Sequence, residues 1–206
     1  MQQRIAQRNL LLYISVFFIP AFLLGQETSI PINVSFFNES TAIPYTRFVI
    51  LPIHPGIQVG TEWNYQEKEH SRLFQTANSC YFYHNYLAHG MGIYSELGYE
   101  YRLHSGLAVG GLLGLGYMHT LSTTEEFIFL NGQYVKKADK GNARIFPSLS
   151  ADVGYYPKKS EKHSLKLFLR YQSWVEYPYS PDFIPLMTHI NLHLGVKVFI
   201  KTKANE

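Results

Sequence analysis

Residues 96–119 read ELGYEYRLHSGLAVGGLLGLGYMH. Two runs that alternate apolar and polar are joined by a tight H-S-G at 104–106. In the first, Leu97, Tyr99, Tyr101 and Leu103 share one face, against Glu96, Glu100 and Arg102 on the other. In the second, Leu107, Val109, Leu113, Leu115 and Tyr117 face one way, while Ala108, Gly110, Gly114 and Gly116 face the other. Period two is the mark of a strand. One face of this hairpin is greasy and rimmed by tyrosine; the other is charged or nearly bare. A water-soluble sheet would bury the greasy face in a core. A membrane barrel turns the same face to lipid and folds the charged face inward.

The flanking sequence decides between the two. Ile57, Val59, Thr61, Trp63 and Tyr65 alternate with Gln58, Gly60, Glu62 and Asn64. Met91–Leu103 and Leu107–His119 repeat the pattern, as do residues 145–155, 165–176 and 188–200. Six such runs are about ten residues or longer, enough to cross a bilayer at a tilt. Ser71–Leu87 is strand-like with mixed faces and makes a seventh. An even number is expected of a single-chain barrel. The eighth comes from 32–37 or from 47–53, where Pro52 and Pro55 restrict a strand. Asn131-Gly132 predicts a small hairpin within the long polar segment 122–142. The fold class expected is therefore all-β: one antiparallel transmembrane β-barrel of about eight strands over 26–206. Long connections at 122–142 and 178–186 belong outside and short ones at 104–106 and 157–163 in the periplasm, with a very short outer turn at 88–90.

Residues 1–25 read as a signal-peptide helix. Arg4 and Arg8 form its positive end, Leu10–Leu24 its apolar stretch, and Gly25 a small residue at the cleavage point. The run is short for a spanning helix, and no Cys follows to take a lipid anchor. Export thus points to the cell outer membrane. Removing 1–25 takes away two arginines and no acid, leaving +1 of the formal +3, which offers nothing to a nucleic-acid partner. Aromatics and charged residues each make up 16% of the chain. That charge content is low against about 25% for ordinary domains, and the tyrosines suit interfacial girdles. The single Cys80 excludes an internal disulfide and any cysteine-based zinc cluster; within an apolar run it reads as inert packing.

Chemistry would sit on the inner face. Its acids are Glu62, Glu96, Glu100, Asp152 and Glu176, and its bases Arg102, Arg144, Lys166, Arg170 and Lys197. Eight strands enclose a bore that side chains just fill, so these charges are expected to pair into a polar plug. The alternative is a narrow path for small solutes. His189 and His193 share the face but lie about 13 Å apart along one strand, too far to hold one ion. No metal centre and no cofactor are expected. His119, Ser122 and Glu125, near the outer rim, are the candidates for a lipid-modifying enzyme of the lipid A deacylase or acyltransferase type. Their composition is equally that of an ordinary loop boundary.

Several stretches resemble a family of small outer-membrane β-barrel proteins of Bacteroidota without an assigned activity. They are H-P-G-I-Q-V-G-T-E at 54–62, L-F-Q-T at 73–76, E-L-G-Y-E-Y-R at 96–102, G-L-G-Y-M-H-T at 114–120, N-G-Q-Y-V-K-K at 131–137 and F-P-S-L-S at 146–150. The resemblance spans roughly 54 to 200, implies a barrel and an outer-membrane location, and carries no catalytic residue across. The chain departs from the usual barrel ending, since Phe199 is followed by I-K-T-K-A-N-E. The expected function is structural or binding, through the outer segments 122–142 and 178–186. The expected partners are outer-membrane lipid, the barrel-assembly machinery and an extracellular or envelope partner. A soluble exported β-sandwich is the remaining rival.

Overall fold

The computed structural model describes residues 29–46, 48, 51–125, 127–130, 132–136, 138–158, 165–180 and 183–201. Residues 1–25, read above as a signal peptide, lie outside the described residues. Ten strands follow in order: β1 (Ser29–Thr41), β2 (His54–Glu67), β3 (Ser71–Tyr83), β4 (Ala88–Arg102), β5 (Leu107–Ser122), β6 (Phe127–Leu130), β7 (Gln133–Lys136), β8 (Asn142–Tyr155), β9 (Lys166–Glu176) and β10 (Met187–Lys201). Eight of them close a barrel in the order β1-β10-β9-β8-β5-β4-β3-β2, while β6 and β7 form a separate hairpin. All neighbouring pairs are antiparallel. The seam is long: β1 and β10 pair from Ser29↔Lys201 to Thr41↔His189.

The alternation sets the two faces. Ile57, Val59, Ile93, Val109, Leu113, Leu149, Val153, Leu167, Leu169 and Leu194 are exposed on the outer wall. Between them, Glu62, Glu96, Glu100, Asp152, Lys166, Arg170 and Lys197 are buried inside. Placing the greasy face outward and every one of these charges inward is stable only with lipid around the wall. The sandwich is thereby excluded, because its greasy face would be core. Tyr65, Tyr99, Tyr101 and Tyr155 lie outward near the end with short turns, and Tyr81, Tyr83, Tyr117 and Tyr177 near the other. The latter end carries the longer connections and is the outer one.

Two local expectations need correction. β2 starts before its clean alternation and takes in Pro55: His54 and Gly56 belong to it and pair with Glu39 and Phe37. The short outer turn falls at 84–87, closed by the His84 N–H to the Ala88 carbonyl at 3.0 Å. Of the two segments open for the first strand, 32–37 is the one that lies in β1 (Ser29–Thr41). What is described of 47–53 belongs to an outer loop that folds back over the wall, with Tyr45 stacked on Tyr171 at 5.3 Å and Phe48 edge-on to it at 5.4 Å. Tyr171 lies five residues below the upper end of β9, so the loop descends about 16 Å along the lipid-facing surface.

Candidate functional site

The lower lumen is filled by one alternating chain of charges. Lys197 Nζ donates to Glu62 at 2.8 Å, and Glu62 also pairs with Arg72. Arg72 Nε reaches Glu100 at 2.9 Å, and Lys166 Nζ bridges Glu100 at 2.6 Å and Asp152 at 2.7 Å. Arg170 then joins Asp152 and Glu96, each at 3.1 Å. Glu96 completes its shell with the Ser150 hydroxyl at 2.8 Å and the Gln172 amide at 3.2 Å. Four cations thus face four anions from six strands, and the links from β4 to β9 cross the bore. The six inner members each lie between opposite charges, and the two ends, Lys197 and Glu96, are completed by the Tyr156 hydroxyl and by Ser150 and Gln172, which is the condition for tolerating buried charge. Beneath them the Tyr156 hydroxyl donates to Glu100 at 2.8 Å, and burial raises its phenol above the ordinary value.

Above lies an apolar layer of Phe37, Phe82, Tyr94, Met118, Phe146 and Trp174, with Cys80 packed against it. Tyr94 donates to Gln58 at 2.6 Å, continuing the network upward from the ions. His193 is held between Ser35 at 3.0 Å and Gln172 at 3.3 Å.

The outer end opens into a cavity of about 620 Å³, lined among others by Glu39, Phe82, His84, Arg144, Tyr179 and His189. A second chain of charges runs along its floor. Arg144 pairs with Glu176 at 2.8 Å. His189 Nε2 faces Glu176 at 3.2 Å and its Nδ1 faces Glu39 at 2.7 Å. Carboxylates only accept, so both ring nitrogens donate and the ring carries two protons. Trp174 stacks flat on it at 4.0 Å, the geometry of a cation over an aromatic face. Beyond Glu39 stand His54 and His84, their rings stacked at 3.5 Å. Burial lowers the His84 pKa, with Glu39 opposing and His54 reinforcing the shift.

The expected inner-face residues Glu62, Glu96, Glu100, Asp152, Lys166, Arg170, Lys197, Arg144, Glu176, His189 and His193 are all inside and buried. Arg102 stands apart at the lower rim, its guanidinium over the Tyr156 ring at 3.8 Å. Arg72, Glu39, His54 and His84 are the additions that sequence reasoning missed. The structure does not gather His119, Ser122 and Glu125 into a triad. The Ser122 hydroxyl bonds Thr124 at 3.0 Å, Glu125 pairs with Lys136, and His119 Nδ1 lies 3.5 Å from the Tyr117 hydroxyl.

Fold and lumen together define an outer-membrane-type β-barrel of eight strands with a filled bore. No protein-family model matches the sequence, and no curated protein sequence matches it. Among solved structures, the chain is similar to the outer membrane enzyme PagL, with 11% identity, 82% of this chain and 98% of that one covered and a TM-score of 0.47. It is likewise similar to Neisserial surface protein A (12%, 87% and 100%, 0.48). Ail, the attachment invasion locus protein of Yersinia pestis, gives 12% identity, 85% and 100% coverage and a TM-score of 0.47. The likeness concerns fold alone, and no residue or activity passes from them to this chain.

Proposed function

We propose that this protein is a surface binding barrel of the outer membrane, with a blocked lumen and a ligand site in its outer opening. The observation that carries this is the cavity of about 620 Å³ resting on a floor of buried charges and rings. Concave openings with a few fixed polar groups are where ligands bind, and the ion-paired plug beneath leaves binding, not passage, as its use. Outer-membrane lipid meets the apolar belt, and closing the β1–β10 seam is the task of barrel-assembly machinery. The resemblance to small barrels of Bacteroidota supports the same placement. The exposed β6–β7 hairpin, with Phe129, Leu130 and Tyr134 turned outward, offers a surface for an envelope partner.

Trp174, stacked beneath His189 of the cavity floor at 4.0 Å, and Trp63 on the wall are the chain's two tryptophans, so Trp63→Phe leaves a single reporter of the opening. The expected result is a saturable change in Trp174 fluorescence with one class of ligand, screened across divalent ions, sugars and peptides, alongside no conductance in planar bilayers. Stable single-channel currents, or a Trp174 signal indifferent to every class, would overturn the proposal.

A further inference from the structure

We infer that Glu39, His54 and His84 form a site for a divalent transition-metal ion of the zinc class at the inner edge of the outer opening. This rests on the outer opening being a binding site and names what it binds. The three come from the end of β1, the start of β2 and the turn after β3, and each offers a ligand atom within 4.8 Å of the others. Glu39 Oε2 lies 3.9 Å from His84 Nε2 and 4.0 Å from His54 Nδ1. Ligand atoms sharing one ion at about 2.0–2.2 Å stand about 3.3–3.6 Å apart, so the site closes when the His54 ring turns its Nε2 toward Glu39 Oε2 and the two rings leave their 3.5 Å stack.

Two further observations point to a ligand rather than to mutual hydrogen bonding. Glu39 is 0% exposed; its Oε1 is held by His189 at 2.7 Å, yet its Oε2 is buried without a hydrogen-bond partner. His54 Nδ1 stands 3.1 Å from the Glu39 carbonyl oxygen, which can only accept, so the neutral ring keeps its lone pair on Nε2. That nitrogen is also buried without a partner. A ring whose one nitrogen donates to a main-chain carbonyl while the other presents its lone pair is the arrangement metal-binding histidines use. The charges agree. Along Arg144, Glu176, His189 and Glu39 the signs alternate and end on an anion with a bare oxygen, so a cation beside it continues the series.

The donor set of two imidazoles and one carboxylate suits zinc and its neighbours, while calcium and magnesium prefer all-oxygen shells. Ligation through His84 Nε2 requires that ring's proton on Nδ1, giving up the Tyr86 N–H now at 3.2 Å, an exchange confined to the 84–87 turn. With three protein ligands, a fourth position faces the cavity that Glu39 and His84 line, the pattern of sites that keep a place for water or an exogenous ligand.

The test is a zinc titration of the full chain folded in detergent, followed by calorimetry and by Trp174 fluorescence in the Trp63→Phe background. One ion per chain is expected. His84→Ala, His54→Ala and Glu39→Gln should each weaken binding about tenfold or more. His104→Ala, which alters the His70–His104 contact at the opposite end, should leave it unchanged, and calcium should not compete. His84 lies outside the barrel wall, and a heat-modifiable gel shift verifies that each variant is folded. Absence of stoichiometric zinc binding to the folded wild-type chain overturns the inference whatever the variants do, as does binding that survives both His54→Ala and His84→Ala. If another ligand class moves Trp174 while zinc does not bind, the metal inference fails and the binding opening stands. If conductance appears, the broader reading fails whatever zinc does.

Discussion

Glu96 has neighbours on every side that explain why it must be a carboxylate. It accepts from Arg170, Ser150 and Gln172 at once, and nothing of it reaches solvent. Replacing Arg170 with Met leaves Glu96 and Asp152 facing each other with one cation fewer. A loss of about 3–5 kcal/mol is expected, measured as a lower urea midpoint for the folded barrel in detergent. Adding Glu96→Gln to Arg170→Met should recover part of that loss, because the second change removes the charge the first one stranded. A double variant less stable than the sum of the two singles would show that the pair does not act through charge. Glycine positions separate just as sharply. Gly116 lies against Tyr94 and the Phe146 ring, whereas a Cβ added at Gly111, on the lipid face, would meet only the Ser150 carbonyl oxygen at 3.9 Å. Gly116→Ala is expected to cost about 1–3 kcal/mol through overpacking. Gly111→Ala should be neutral or gain up to about 1 kcal/mol by restricting the unfolded chain; both are read from the same urea curves.

Strands differ in how openly they declare their faces. β4, β5, β8, β9 and β10 alternate cleanly, so Glu96, Asp152, Arg170 and Lys197 were assignable to the inside from spacing alone. β3 was not, because its inner positions include Phe74 and Phe82, while Gln75 hides its polar end on the wall by bonding Ser95 at 2.7 Å. That inversion concealed Arg72, the cation that joins Glu62 to Glu100. The inner-face glycines of β5 leave room for side chains from neighbouring strands. The room is taken by Tyr94, Glu96, Phe146 and Ser148, and Arg170 benefits only through Glu96. Glu39, His54 and His84 are distant in sequence and meet only through strand register, so no spacing rule could have grouped them. The β6–β7 hairpin was legible from Asn131-Gly132, and the two strands pair with each other outside the barrel. Exchanging 126–137 for a Gly-Ser linker is therefore expected to leave the heat-modifiable shift and the urea midpoint unchanged within about 0.5 kcal/mol. A barrel that no longer folds would show the hairpin to be part of the scaffold.

At the scale of the molecule, the wall and the lumen obey opposite rules. The wall is uniform and tolerant, since any apolar side chain of moderate size meets lipid equally well. The lumen holds two chains of charge, one on either side of the apolar layer, in which six acids, five Lys or Arg side chains and the doubly protonated His189 are matched, mostly between neighbouring strands, with the β4–β9 links spanning the bore. Disturbance there should spread. Lys166→Met is expected to destabilise both Glu100 and Asp152 and to lower the urea midpoint more than Leu167→Ala, its outward neighbour, even though the second removes more apolar surface. The reverse order would mean that wall contacts dominate stability.

The β1–β10 seam carries one last implication. Glu39 belongs to the first strand and His189 to the last, and they touch only because the chain's two ends are brought together. The outer opening consequently has no floor in a chain that is still in transit or only partly assembled. On the proposed binding function, a ligand would therefore be taken up only by a closed barrel. Occupancy of the opening would then be a signature of completed assembly, and a chain arrested before closure would have no site for its ligand.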